Sequence, residues 1–67
     1  METYQQRVIE EKAQLDERLK ALRAFRKAAL ANIVVPAREL ELLGGQELAM
    51  SMYSRALADR ISYFPKD

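Results

Sequence analysis

The chain has 67 residues, a net charge of +1 from 11 basic and 10 acidic side chains, and neither histidine nor cysteine. This composition excludes disulfide bonds, the two most common zinc ligands and catalysis by Ser-His or Cys-His pairs, and we predict that the protein is not an enzyme and needs no cofactor. A single domain of residues 1–67 is expected, and because so small a core is marginally stable, we expect copies of the chain to associate.

The first predicted element is a long amphipathic helix from about Tyr4 to about Leu30. Thr3, followed three residues later by Gln6, has the form of a capping box that starts a helix. The apolar residues that follow recur at intervals of three, four and seven, as on one face of a helix: Val8, Leu15, Leu19, Leu22, Phe25 and Ala29. Such a long helix in so short a chain indicates pairing with other helices.

A short connection follows the first helix. Asn32 can adopt the left-handed conformation that ends a helix, and the β-branched residues 33–35 disfavour helix. These apolar residues are expected to cap the end of a hairpin, with an edge strand as the alternative. Pro36 suits the start of a second helix, and the shortness of the connection predicts that this helix folds back antiparallel.

The second predicted helix begins near Pro36 and stops at Pro65. Its apolar face starts with Leu40 and Leu43 and continues through Met50, Tyr53, Leu57, Ile61 and Phe64. The adjacent glycines at 44–45 weaken a helix, so a break or kink is expected there, although a continuous helix with a weak joint is the close alternative. The predicted fold is all-α: an antiparallel helical hairpin that assembles into a helical oligomer.

Basic residues are concentrated in the second half of the first helix. No acidic residue lies between Glu17 and Glu39, whereas this interval contains Arg18, Lys20, Arg23, Arg26 and Lys27. The favoured interpretation is a solvated surface whose cations complement the helix dipole. The functional alternative is an anion site in which Lys20, Arg23 and Lys27, about one turn apart, hold phosphate groups.

Other polar side chains have a structural and a functional interpretation. Arg7 is expected to pair with Glu10 and Glu11, and Asp16 with Lys20, as ordinary pairs on a helix surface. Tyr53 is assigned chiefly to core packing. By contrast, Tyr4 lies off the main apolar row, where its ring can stack on a base or on another subunit. Arg60 can form an ion pair across an assembly interface or converge with its copies into an anion pocket.

Two segments together resemble a family of small tailed-phage proteins. The first is residues 6–19, QRVIEEKAQLDERL, followed by LRAF at 22–25, and the second is residues 42–61, LLGGQELAMSMYSRALADRI. The family includes the phage anti-CBASS sponge proteins, helical hexamers that sequester cyclic di- and trinucleotide signals made by bacterial immune cyclases. The resemblance implies that the ligand is held intact between subunits, in the cytoplasm of the infected bacterium.

The resemblance also implies where such ligands bind. Tyr4 matches the family's aromatic residue near the start of the first helix, and Lys20 lies near its basic partner, with Lys12 and Arg23 as alternatives. A separate site for larger rings corresponds to Arg60. The full set of candidate ligand-binding residues is Tyr4, Arg7, Lys12, Lys20, Arg23, Lys27, Tyr53 and Arg60.

Partners other than cyclic nucleotides and copies of the chain remain as alternatives. The main one is an adaptor whose exposed helix face binds or inhibits a host protein. Non-specific nucleic-acid binding through residues 18–27 is a weaker one, because the net charge is close to zero. A membrane partner is not expected, since the longest uncharged stretch, residues 28–37, is too short to span a bilayer.

Overall fold

The computed structural model describes residues 3–32 and 35–65, and this part of the chain forms two α-helices. Helix α1 is Tyr4–Asn32 and helix α2 is Ala37–Ser62. They lie side by side as an antiparallel hairpin 51 Å long, which confirms the predicted all-α hairpin. Neither helix contains a segment long and apolar enough to cross a membrane.

The start of α1 is fixed by its own side chains. The Gln6 backbone N–H donates to Thr3 Oγ1 at 3.2 Å, and the Thr3 N–H donates to Gln6 Oε1 at 3.3 Å. This reciprocal pair is the predicted capping box, and it satisfies two N–H groups that a helix end otherwise leaves open. Helix α2 follows directly on Pro36, whose carbonyl accepts from the Leu40 N–H at 3.1 Å.

Each helix presents one continuous row of residues to the other, at alternating intervals of three and four. This spacing is the heptad pattern by which two helices pack along a shared seam. The inner row of α1 consists of Val8, Lys12, Leu15, Leu19, Leu22, Arg26 and Ala29, none of which is exposed. The inner row of α2 consists of Leu40, Leu43, Glu47, Met50, Ser54, Leu57 and Ile61, continued just beyond the helix by Phe64, and none of these is exposed either.

Two residues predicted to face the core do not. Tyr53 is 47% exposed, and the neighbouring Ser54 occupies the inner row instead. Phe25 is 51% exposed, and Arg26 takes the inward position beside it. In both cases a polar partner on the other helix decides the outcome: Asp16 faces Ser54, and Glu47 faces Arg26.

The predicted break at the glycine pair does not occur, because α2 runs without interruption from Ala37 to Ser62. Gly44 has a local reason to be a glycine. A Cβ atom there would lie 3.1 Å from Nη2 of Arg26, closer than ordinary van der Waals contact, whereas a Cβ at Gly45 would meet nothing within 4 Å. The absent side chain at Gly44 therefore leaves room for the Arg26 guanidinium.

The hairpin buries few of its apolar side chains. Among the described residues only five hydrophobic ones are buried: Val8, Leu15, Leu19, Ala29 and Leu57. Nine large hydrophobic residues within residues 3–31 and 35–65 are exposed: Tyr4, Ile9, Phe25, Leu30, Leu42, Leu48, Met52, Tyr53 and Tyr63. The predicted apolar cap or edge strand at residues 33–35 rests on Ile33 and Val34, which lie outside the described residues.

Candidate anion-binding site

Three cations form one exposed surface on α1, which we call the basic flank: Lys20, Arg23 and Lys27. Their spacing of three and four residues places them on the same face of the helix. Within the described part of the chain neither Lys20 nor Lys27 has an ion pair or a side-chain hydrogen bond. Two solvated ammonium groups thus lie about one turn to either side of a guanidinium.

The basic flank has an acidic neighbour that the linear order of the chain conceals. Glu47 of α2 accepts from Nη1 of Arg26 at 2.5 Å and from Nε of Arg23 at 3.5 Å. The hydrogen bond from Arg26, followed by its charge and then the bond and charge of Arg23, lowers the pKa of the Glu47 carboxyl despite partial desolvation. Residues 18–38 contain no acidic side chain, but in the folded hairpin Glu47 supplies one to this basic segment.

A second polar cluster lies nearer the start of α1. Asp16 accepts from Lys12 Nζ at 2.7 Å and from the Ser54 hydroxyl at 2.5 Å. The hydrogen bond from Lys12, and next the one from Ser54, lowers the pKa of the Asp16 carboxyl. The predicted pair of Asp16 with Lys20 is wrong, because Asp16 pairs with Lys12 instead. Lys12 is accordingly engaged within the hairpin, whereas Lys20 is left to the solvent.

The candidate aromatic residue lies at the end of the hairpin where α1 begins and α2 ends. The Tyr4 ring meets the ring of Phe64 edge to face, with centroids 5.7 Å apart and planes at 85°. Tyr4 nevertheless remains 60% exposed, so much of its ring is open to another partner. Phe64 holds the ring in place, since edge-to-face aromatic pairs are favourable beyond the area they bury.

Tyr53 and Arg60 lie away from the basic flank. Each precedes a residue of the inner row by one position, which turns its side chain by about 100° around α2. Helical geometry places both on the side of the hairpin opposite to the flank. Arg7 is exposed on α1 and, contrary to prediction, pairs with neither Glu10 nor Glu11.

One chain does not bring all the candidate residues together. Tyr4 and Lys20 are separated by 16 residues of one helix, or about 24 Å at 1.5 Å per residue. Only Lys20, Arg23 and Lys27 form a continuous surface. A phosphate group can be held there by charge-assisted hydrogen bonds, and no group of metal-ligating side chains occurs in the described residues.

Sequence reasoning missed Glu47 as part of this surface and treated Arg26 only as one of several cations. Both occupy positions of the inner rows where an apolar residue is usual, and they do so opposite one another. A charged residue on the apolar face of each of two pairing helices is a signal that they meet. Which two charged residues meet depends on how the helices are aligned along their length, and the sequence alone does not give that alignment.

Comparison with protein families supplies one match that covers most of the chain. The family model Sequestin matches residues 2–63. Comparisons with curated proteins and with solved structures gave no match. The matched range includes both helices and every candidate ligand-binding residue.

Proposed function

This chain belongs to the Sequestin family of phage anti-CBASS sponge proteins, and we propose that it captures cyclic di- or trinucleotides intact between copies of itself. Membership supports a phage protein that sequesters cyclic nucleotides in general. The proposal adds that the ligand is not cleaved, that the site involves more than one copy, and that capture occurs in the cytoplasm of the infected bacterium.

The observation that carries the proposal is a pair of lysines beside Arg23 for which the described part of the chain offers no ion-pair partner. A cyclic nucleotide ring carries a phosphodiester charge for each nucleotide. Lys20 and Lys27 lie on either side of Arg23, on one exposed face of α1. Such cations form hydrogen bonds with phosphate oxygens that are shorter and stronger than neutral ones, and Arg23 can offer two at once.

Tyr4 supports the proposal as a stacking surface for a base. Its ring is held on one edge by Phe64 and is largely exposed. Because Tyr4 lies about 24 Å along the helix from Lys20, the two residues are brought to one ligand most simply when they come from different copies. This is the physical reason for proposing a site between subunits.

A further row on α2 supports assembly. At alternating intervals of four and three it contains Leu42, Gln46, Ala49, Tyr53, Ala56 and Arg60, and Tyr63 just after the helix continues the spacing; all are exposed. We call this the outer row. It repeats the spacing of the inner row one position earlier, and a heptad pattern with apolar residues is what a partner helix requires. We propose that it packs against another copy in a homo-oligomer, such as the hexamer expected from the family.

Two features of the chain support the proposal that the ligand is captured without cleavage. Histidine and cysteine, the commonest general base and a common nucleophile, do not occur in the sequence. The pKa values of Asp16 and Glu47 are lowered by their cationic partners. A general acid or base working near neutral pH needs a carboxyl pKa that is raised, so these shifts have the wrong sign for hydrolysis.

The direct test is isothermal titration of the folded protein with a panel of cyclic di- and trinucleotides, and chromatography of the recovered ligand. We expect binding to at least one member of the panel and recovery of that ligand unaltered. Native mass spectrometry of the same sample reports the number of subunits and any nucleotide retained. A folded oligomer that gives no heat with any member would refute the proposal.

Variants assign the binding residues. Lys27→Ala and Tyr4→Ala are each expected to weaken binding about tenfold or more, the latter because base stacking on an aromatic ring is worth about 1–3 kcal/mol. Ile9→Ala is the control, since Ile9 is an exposed apolar residue near Tyr4 on the same helix and lies outside the outer row. Loss of assembly in Tyr4→Ala would instead make Tyr4 a structural residue.

The alternative is a protein-interaction adaptor, and the exposed outer row is the observation that favours it. An adaptor would use Leu42, Tyr53 and their neighbours to bind a host protein instead of another copy. A monomeric chain that binds no cyclic nucleotide but retains one host protein at a fixed ratio would support this alternative. Ligand binding by an oligomer would exclude it as the main function.

A further inference from the structure

The carboxylate of Glu47 bridges two arginines that lie three residues apart on α1. Its Oε1 accepts from Nη1 of Arg26, and its Oε2 accepts from Nε of Arg23. Glu47 belongs to the inner row of α2, whereas Arg23 is the central residue of the exposed basic flank. One acidic side chain therefore connects the interior of the hairpin to the candidate anion site.

The two contacts differ in strength. The contact between Arg26 and Glu47 is 2.5 Å long, and both side chains are largely buried, with 29% of Arg26 and 25% of Glu47 exposed. The Arg23 contact is 3.5 Å long, at the limit of a hydrogen bond, and the Arg23 side chain is 54% exposed. Exposed ion pairs of this kind hold their side chains weakly. Glu47 is thus anchored by Arg26 and only loosely engaged by Arg23.

Arg23 keeps most of its hydrogen-bonding capacity. A guanidinium has five N–H groups, and in the described residues only Nε of Arg23 is engaged. Neither terminal Nη group has a partner among the described residues, so both can donate to a phosphate. A phosphate bound there would nevertheless lie close to the Glu47 carboxylate, and two negative charges within a few ångströms repel one another.

We propose that Glu47 is an internal counter-ion of the basic flank that competes with anionic ligands for Arg23 and so sets how tightly they are held. Glu47 could also strengthen ligand binding by holding Arg23 in a favourable orientation. Its contact with Arg23 is long and exposed, so this contribution is small. When a ligand takes Arg23, Glu47 retains its shorter bond to Arg26. The inference rests on the proposed function in placing the ligand at this flank.

The variant that tests the inference is Glu47→Gln, with Glu41→Gln as the control. Glu41 is exposed, lies on the same helix and pairs with its neighbour Arg38. Two probes are used: cyclic di-AMP followed by titration calorimetry, and inorganic phosphate followed by the backbone amide shifts of Lys20, Arg23 and Lys27. We expect Glu47→Gln to tighten the binding of both probes by about three- to tenfold, and to make it weaken more steeply with salt, whereas Glu41→Gln leaves both unchanged.

The dependence on Arg23 is tested by a double-mutant cycle. In the Arg23→Gln background the tightening caused by Glu47→Gln is expected to disappear, because the competition is for that guanidinium. A gain that persists in this background overturns the inference, since Glu47 would then act only through the general charge of the surface. Weaker binding in Glu47→Gln also overturns it, since Glu47 would then serve to orient Arg23.

A folding defect does not prevent the test. Loss of Glu47 leaves the Arg26 guanidinium partly buried without its partner, so the variant Arg26→Met/Glu47→Gln removes both charges together. It is expected to show the same tightening. If phosphate binds the unchanged protein but cyclic di-AMP and the rest of the panel do not, the proposed function fails and the role of Glu47 is still decided by phosphate. If phosphate does not bind, the inference itself is wrong.

Discussion

The hydroxyl of Ser54 on α2 donates a hydrogen bond to Oδ1 of Asp16 on α1, with the two oxygens 2.5 Å apart. Asp16 is also held by Lys12, one turn earlier on its own helix. Ser54 is the only buried polar residue among those described. This contact favours one register of the two helices, because sliding either one would separate the Ser54 hydroxyl of the inner row from Asp16.

Ser54→Ala is expected to destabilise the hairpin, because it removes the hydroxyl that donates a hydrogen bond to Oδ1 of Asp16. A typical hydrogen bond contributes about 0.5–1.5 kcal/mol net, so the shift in a urea midpoint is modest but measurable. Ser62→Ala is the matched control, because the Ser62 hydroxyl donates to the Asp59 carbonyl on the exposed surface. If both variants lose the same free energy of unfolding, the Asp16–Ser54 hydrogen bond contributes no more to stability than an exposed one.

Stability is expected to fall in acid. The folded-state pKa values of Asp16 and Glu47 are lowered from their ordinary values of 3.8 and 4.5. A lowered pKa means that the folded state favours the ionised form, so this stabilisation is fully present above those ordinary values and is lost as the pH falls through the folded pKa values. Urea midpoints measured from pH 7 to pH 3 are therefore expected to decline below about pH 4.5.

The variant Asp16→Asn/Glu47→Gln separates these two carboxyls from the others. It is expected to be less stable than the parent at pH 7. Its urea midpoint is expected to fall much less than that of the parent between pH 7 and pH 3. Glu41→Gln, at an exposed position, serves as the control. A decline of undiminished size in the double variant would place its origin in other acidic groups.

The two glycines of α2 are expected to respond differently to alanine. Gly45→Ala is expected to stabilise the protein by up to about 1 kcal/mol, because glycine is a poor helix former and the added methyl group meets open space. Gly44→Ala gains the same helix propensity but forces the Arg26 guanidinium to shift, so its gain is expected to be smaller or absent. Thermal unfolding of the two variants side by side measures the difference.

The opposite ranking would indicate that Arg26 moves aside without cost. Destabilisation by Gly45→Ala, together with a smaller number of subunits, would mean that another copy approaches α2 closely at Gly45. The number of subunits is therefore measured with each melting curve.

Leu57→Ala is expected to cost about 2–5 kcal/mol, as is usual when a buried leucine is truncated. Leu57 is 1% exposed and packs in a cluster with Val8 and Leu15. Leu48→Ala is the control, because Leu48 is 62% exposed in the single chain. Urea denaturation measures both, and a comparable loss at Leu48 would show that another subunit covers it.

Local features of the fold could be predicted from the sequence. The capping box of Thr3 and Gln6, the helix start at Tyr4 and the end before Pro65 depend on residues close together in the chain, and the structure agrees with each. The spacing of the apolar residues is likewise local and predicts two helices, and the shortness of the connection between them predicts their antiparallel pairing. The predicted break at the glycine pair is wrong because packing along the whole helix outweighs a local penalty of about 1 kcal/mol per glycine.

Interior and surface positions were decided by the tertiary structure wherever two rows of residues were nearly equivalent. Tyr53 and Ser54, or Phe25 and Arg26, differ by a small rotation of the helix, and apolar spacing alone favours the aromatic residue in each pair. The polar residue of each pair turns inward instead, because it donates a hydrogen bond to a carboxylate on the facing helix: Ser54 to Asp16, and Arg26 to Glu47. The approach of Glu47 to the basic flank has the same origin: residues 21 or more positions apart in the chain meet only once the register of the helices is set.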